Sequence, residues 1–238
     1  METPDARGPI VAIIPARGGS KRIPRKNIRS FRGTPLLERT IQTLQQTNLF
    51  DRIVVSTDDD EIANIAVAAG AEVPFLRPAE LAGDHTGARP VIIHAIESLE
   101  SADQSVLGPV CIVYPTAVFV TQEDLRQSLG RLVTSSADFV FSAARFDAPI
   151  QRALRTLDDG TCELMWPEHT LTRSQDLEEA YHDAGQFYWG RRDAWLAGHP
   201  VFAGNALLHV LPRWRVQDID TEEDWNRAEL IHRMIGEQ

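Results

Sequence analysis

Apolar and polar residues follow two alternating rhythms along most of this chain. Short apolar-centred runs, at 10–14, 52–56, 109–114, 137–144 and 207–211, read as strands buried in a sheet. The segments between them repeat apolar positions every three or four residues, as helices with one inward face do. Such faces are Leu36, Leu37, Ile41 and Leu44; Ile62, Ile65, Ala66 and Ala69, stopped by Gly70; Val91, Ile92, Ala95, Ile96 and Leu99; Leu125, Leu129, Leu132 and Val133; and Trp225, Ala228, Ile231 and Ile235. Thr34 and Pro35 read as the cap and first turn of the helix to Thr47, Thr121 and Asp124 as a capping box, and Thr221 as the start of the last helix. A short strand at 71–76 is demoted to a sheet edge by Pro74, and a brief helix falls near 193–196. Strand and helix in alternation predict the α/β class, with a doubly wound, mostly parallel sheet covered on both faces.

The rhythm fails between Arg145 and Asp183, a polar, turn-rich stretch in which Asp158-Asp159-Gly160 reads as a hairpin turn. That is long for a connection inside a compact domain, so it is expected to form a lid or to leave the body and pack on another subunit. Gln186 to Trp189 then resumes the sheet.

Composition adds bounds. With 238 residues, 43% hydrophobic and 24% charged, the chain suits one domain over 10–238, behind a polar tail at 1–9 expected to be flexible and unsuited as a signal peptide. A net charge of −10 argues against nonspecific nucleic-acid binding, and no run reaches the ~18 apolar residues of a membrane span. Cys111 and Cys162 lie far apart in no metal-like spacing, and are expected to be reduced structural thiols of a cytoplasmic protein.

Against that acidic balance, Arg17, Lys21, Arg22, Arg25 and Lys26 cluster within 17–26, in and just after the glycine-containing turn Pro15-Ala16-Arg17-Gly18-Gly19-Ser20-Lys21 that follows the first strand. Adjacent glycines let backbone amides approach an anion, so Arg17 and Lys21 with the amides of Gly18 to Ser20 are candidates for a polyphosphate. A plain tight turn with solvated charges is the competing explanation. Neither the P-loop string nor the dinucleotide glycine fingerprint is present, which counts against a NAD-dependent oxidoreductase. In parallel sheets ligands sit at the carboxyl ends of strands, where this turn, Thr57-Asp58 and Tyr114-Pro115-Thr116 all fall. Asp218 and Asp220 flank Ile219; in extended chain both carboxylates share one face, a spacing that suits Mg2+, although Asp220 or Thr221 could merely cap the final helix.

The string IIPARGGSKRIPRKN (13–27) resembles the signature of the CMP-sugar-acid synthetases, cytidylyltransferases that activate sialic acid and its relatives. The resemblance continues through VVSTDDDEIA (54–63), FLRPAELAGDHTG (75–87) and RVQDIDTEEDW (215–225), nearly the whole chain. TRSQDLEEAYHDAGQFYWG (172–190) resembles the branch that acts on pseudaminic acid. It implies a Rossmann-like nucleotidyltransferase sheet whose 145–183 insertion is a protruding dimerisation arm and sugar lid, and a Mg2+-dependent homodimer acting on CTP and a nine-carbon sugar acid. Carried over, Ala16, Arg17, Gly18, Gly19, Ser20, Lys26 and Asn27 belong to the CTP site, Arg77, Asp84 and Thr86 to cytosine recognition, and Asp218 and Asp220 to the metal. Thr57 and Asp58 also match.

For the sugar acid, Arg173 in the arm is the candidate cation opposite its carboxylate, acting across the dimer. Gln186, Phe187 and Tyr188 are candidate pocket walls, and His182 beside Asp183 is a possible base. Tyr114-Pro115-Thr116-Ala117-Val118 stands where sialic acid synthetases carry Q-P-T-S-P, so Tyr114 replaces an amide that could read the common sialic acid. That departure points to pseudaminic acid, with N-acetylneuraminic acid, legionaminic acid or KDO as alternatives and a nucleotide-binding module without turnover as the non-enzymatic one.

Overall fold

The computed structural model describes residues 8–83 and 86–236; tail residues 1–7 and Asp84 lie outside the described residues. The chain forms β1 (Val11–Pro15), a small ribbon of β2 (Ser30–Phe31) and β3 (Thr34–Pro35), α1 (Leu36–Thr47), β4 (Arg52–Ser56), α2 (Asp60–Ala68), α3 (Ala88–Asp103), β5 (Val110–Val113), α4 (Gln122–Thr134) and β6 (Phe139–Arg145). An arm hairpin of β7 (Leu154–Thr156) and β8 (Cys162–Leu164) follows, then β9 (Tyr181–Gly190), α5 (Arg192–Leu196), β10 (Ala206–Val210) and α6 (Glu222–Gly236).

Six strands form one sheet in the order β10-β6-β9-β5-β1-β4. All neighbours are parallel except β9, which runs antiparallel between β5 and β6. Strand alternation sorts the core into two layers. Ala12 and Ile14 of β1 pack with Leu37, Ile41, Ile62 and Leu125 under α1, α2 and α4. Val11 and Ile13 pack with Ile92, Ile96, Leu99 and Trp195 under α3 and α5. A third cluster joins Trp225 and Ala228 of α6 to Ile23, Phe31, Leu36, Phe119 and Ile219. This last cluster brings the chain's end onto the loop after β1, from opposite ends of the sequence.

Some local expectations shift. Thr34 does not cap α1: it pairs with Phe31 in the β2–β3 ribbon, and the helix starts after Pro35 without a side-chain cap. The edge strand at 71–76 reduces to two isolated bridges, Val54 with Glu72 and Thr57 with Leu76. Gly8 and Pro9, counted with the tail, are held by Gly108, whose amide donates to the Pro9 carbonyl at 3.0 Å. Cys111 is buried as expected, but Cys162 is exposed on β8. The Thr121–Asp124 capping box is present with both hydrogen bonds, and Gly160 turns the arm hairpin at φ 82°.

Candidate active site

The loop after β1 walls a cavity of about 280 Å³ together with the carboxyl end of β5 and the start of α3. Arg17, Ser20, Lys21, Lys26, Asn27, Arg77, Thr86, Tyr114 and Asp220 all line it. Arg22 of the basic cluster and Pro115 and Thr116 of the turn after β5 line it as well. Five cationic side chains facing one cavity in an acidic protein define an anion site.

The backbone share of that site differs from expectation. The Gly18 amide donates to Asp58 Oδ1 at 3.0 Å and the Ser20 amide to the Gly18 carbonyl at 3.0 Å, so neither is aimed at the cavity. The acidic turn after β4 lies too close to the loop to leave Gly18 unengaged. A Cβ on Gly18 would meet Asp59 Oδ2 at 2.6 Å, which is why glycine is needed there, whereas Gly19 has open space. Arg25 leaves the phosphate cluster too. It takes a left-handed conformation at φ 55° and forks onto Asp59 at 2.5 and 3.0 Å, with a further ion pair to Glu61. That fork holds the Asp59 carboxyl below its usual range, while Asp59 Oδ1 also caps α2 by accepting from the Ile62 amide. The acidic turn therefore braces the basic loop.

Asn27 braces it from within, donating from Nδ2 to the Arg17 carbonyl at 3.0 Å while only 7% exposed. Ala16 is fully buried beneath the cavity. Arg77 forms part of the floor, donating to Ser56 Oγ at 3.2 Å and to the Ser56 carbonyl at 2.5 Å. Burial pulls its pKa down.

The carboxylates arrive from the other end of the chain. Ile219 is fully buried in the α6 cluster, which turns its neighbours Asp218 and Asp220 outward. Lys26 Nζ donates to the Ile219 carbonyl at 2.6 Å and reaches Asp220 Oδ1 at 3.3 Å, and Arg22 pairs with the same oxygen at 2.9 Å. Thr221 caps α6: its Oγ1 accepts from the Asp224 amide at 3.2 Å, and Asp224 reaches back to the Asp220 and Thr221 amides. Asp220 is thus not spent on the cap. Partial burial, and next the charge of Asp220, push the Asp218 carboxyl above its usual range. Two carboxylates that repel each other welcome a cation. Among the described residues no group of three or more His, Cys, Asp or Glu is placed to hold one, so the pair would supply part of a shell completed by water and phosphate oxygens.

The sugar candidates divide. Tyr114 lines the main cavity and also a second chamber of about 230 Å³, where it is joined by Tyr188. Phe187 points to the opposite layer of the sheet and is fully buried beside His209, and Gln186 donates to the Arg215 carbonyl at 2.8 Å at 3% exposure. A bulge sets this arrangement: Ser142 Oγ accepts from the amides of both Gln186 and Phe187. Neither residue walls the two cavities, a correction with two causes: alternation turns Phe187 away from Tyr188, and Gln186 is held on the Arg215 carbonyl. Arg173 lies on the arm, paired with Asp176 at 2.7 Å and outside both cavities of its own chain. His182 Nδ1 contacts the Asp183 carbonyl at 2.8 Å rather than its carboxylate, so the expected base pair does not form.

A basic loop, an acidic loop and a cavity at the carboxyl ends of β1 and β5 define a nucleotidyl-transfer class of site on an α/β sheet. A cytidylyltransferase family model matches residues 11–201, and the chain belongs to that family. It is 40% identical to the pseudaminic acid cytidylyltransferase of Campylobacter jejuni, over 95% of this chain and 97% of that one. It is 33% identical, over 88% of this chain and 40% of the relative, to a Helicobacter pylori protein named for both that activity and hydrolysis of UDP-2,4-diacetamido-2,4,6-trideoxy-beta-L-altropyranose. In fold it is similar to a CMP:2-keto-3-deoxy-manno-octonic acid synthetase complexed with CTP, at a TM-score of 0.69 and 14% identity over 97% of this chain and all of that one.

Proposed function

We propose that the chain transfers CMP from CTP to the anomeric hydroxyl of pseudaminic acid and releases pyrophosphate. The observation that carries the reaction is the convergence of Arg17, Lys21, Arg22 and Lys26 with Asp220 on one cavity at the strand ends. The 40% identity over nearly both chains supports the choice of sugar acid.

Transfer at phosphorus asks for placement and charge neutralisation more than covalent help. Arg17, Ser20 and Lys21 neutralise the triphosphate, and Arg77 with Thr86 meets the cytosine edge. An incoming triphosphate competes for Arg22 and Lys26, which releases Asp220 from its ion pairs. Asp218 and Asp220 are the residues that would hold Mg2+, whose charge would offset that at the α-phosphate and favour ionisation of the attacking hydroxyl. Tyr114 separates nucleotide from sugar.

The arm presents Leu154, Met165 and Leu171 at 62, 47 and 93% exposure, apolar surface that a second copy of the chain would cover. In such a homodimer Arg173 reaches the partner's sugar acid and pairs with its carboxylate. Among the described residues no helix is long and apolar enough to cross a membrane.

Pyrophosphate release from CTP and Mg2+, assayed separately with pseudaminic, legionaminic and N-acetylneuraminic acids and KDO, tests this reading. Release with pseudaminic acid supports it. Release only with another of these acids overturns the sugar assignment and keeps the reaction.

A further inference from the structure

A third cavity, of about 480 Å³, lies at the root of the arm and shares no lining residue with the other two. Its walls come from the end of β6 and the chain beyond it, from His182 of β9, from Arg213 and Val216 ahead of Asp218, and from Arg227 of α6. Its size falls within the range of about 300–1,000 Å³ that small-ligand pockets occupy. Four arginines, Arg145, Arg152, Arg213 and Arg227, stand in that lining against one carboxylate, Asp147. In a chain of net charge −10 such a surplus is a local exception.

Internal partners neutralise little of it. Arg213 pairs with Asp147, and Arg145 with Glu179 at 2.5 Å, but all four side chains are at least half exposed, and surface pairs of this kind yield to a competing anion. Arg152 donates to the Thr172 carbonyl at 2.7 Å, a neutral partner. Arg227 is exposed on α6 and makes no ion pair among the described residues. A carboxylate ligand is satisfied by one guanidinium fork and would leave three of these arginines without a counter-charge. A phosphate group carries close to two charges at neutral pH and offers three oxygens to arginines arriving from different elements. Phe146, Pro149, Ile150 and Val216 give the same cavity an apolar side, and the Phe146 ring stands edge-on to His182 with centroids 5.0 Å apart.

We propose that this cavity is a second anion site, separate from the nucleotide cavity, and that it takes a phosphate-bearing ligand whose phosphate group is held by Arg152, Arg213 and Arg227. A nucleotide would lay its ring system against Phe146, whereas free pyrophosphate would engage the arginines alone. Val216 stands two residues before Asp218, and Arg227 two residues after Trp225, so the ligand rests on the segment and the helix that set Asp218 and Asp220.

Calorimetric titration with inorganic pyrophosphate and, separately, with CMP tests this on wild type, Arg213→Ala/Arg227→Ala and Arg17→Ala/Lys21→Ala. Wild type should bind at two sites per chain. Removing Arg213 and Arg227 should weaken the second site at least about tenfold, the loss expected for hydrogen bonds to a charged group, with the CTP KM unchanged. Removing Arg17 and Lys21 should abolish the first site and leave the second. Tighter binding of CMP than of pyrophosphate at the second site assigns it to a nucleotide, and the reverse order assigns it to the free anion. A single site in wild type, or a second site of wild-type affinity in Arg213→Ala/Arg227→Ala, overturns the proposal. So does a shift of that variant from dimer to monomer in light scattering with anion binding unchanged, since acidic residues of a second copy would then be what fills the cavity. Should the double variant not fold, Arg227→Gln alone should weaken the second site, and wild-type affinity there is equally fatal.

Discussion

Arg215 anchors the segment that carries Asp218 and Asp220, and its removal should be felt in both stability and metal use. Its guanidinium forks onto Asp124 of α4 at 2.5 and 3.0 Å and also donates to the Phe119 carbonyl at 3.2 Å. The two side chains are 13 and 9% exposed, and His209 Nε2 and the Thr121 hydroxyl complete the ring around Asp124. Deleting one partner of such a pair leaves an uncompensated buried charge, a loss of about 3–5 kcal/mol. For a chain of this length, each kcal/mol lowers Tm by about 2–4 °C, so Arg215→Met should unfold roughly 6–20 °C earlier.

The same variant makes a pH prediction. Burial by itself would raise the Asp124 pKa, but the bonds from His209, Arg215 and Thr121 overrule it and hold the carboxyl well below its usual range. A depressed folded pKa contributes stability that is present above the unfolded value, about 3.9, and is lost as pH falls below it. Wild type should therefore lose stability from this group only in acid. In Arg215→Met, with one stabilising partner gone and burial remaining, the folded pKa moves back up toward the unfolded value, so the acid-dependent loss should be smaller than in wild type. Thermal melts of both proteins from pH 7 down to about pH 2, with apparent Mg2+ affinity in the pyrophosphate assay, measure this. A Tm within 2 °C of wild type at pH 7 with parallel pH curves would refute the role given to the fork.

Three other variants test the site directly. Asp220→Asn should cut turnover by at least about 100-fold at saturating CTP and leave the melt within a degree or two, because the carboxylate faces the cavity and does not cap α6; wild-type activity would sink the metal role. Gly18→Ala drives a methyl against Asp59 Oδ2, so the loop must shift and the CTP KM should rise at least tenfold, as read by nucleotide titration; an unchanged value would mean that the Asp58–Gly18 brace is dispensable. Arg173→Ala should raise the sugar-acid KM by about tenfold with the CTP KM fixed, and mixing it with Asp220→Asn protein should restore partial activity if the arm acts on a partner's site; equal effects on both substrates would count against a carboxylate role.

Much of this molecule is legible along the chain because its causes are local. A five-residue apolar run that ends in a Pro and Gly-Gly turn is too short for a helix and reads as a buried strand, and the faces of α1, α3 and α4 follow from helical spacing, as Leu37, Ile96 and Leu125 demonstrate by their burial. The glycine turn, its basic residues and the Asp218–Ile219–Asp220 alternation are equally local, and of them Arg17, Ser20, Lys21, Arg22, Lys26 and Asp220 face the main cavity. Thr34 was misread because pairing with Phe31 competes with capping, a choice made by a neighbouring segment.

What the tertiary structure alone decided is pairing between distant parts of the chain. That Lys26 meets Asp220, across almost the whole sequence, follows from the packing of Trp225 and Ile219 against Ile23 and Phe31, which no periodicity announces. The antiparallel insertion of β9, its bulge at Ser142 and the resulting split of Phe187 from Tyr188 are settled by sheet register. A one-residue change of register exchanges the two faces of a strand, and the sequence alone cannot choose the register before the partners have met. The second chamber exists only because Asp183, Tyr188, Trp195 and Phe202 are gathered by that register around Tyr114.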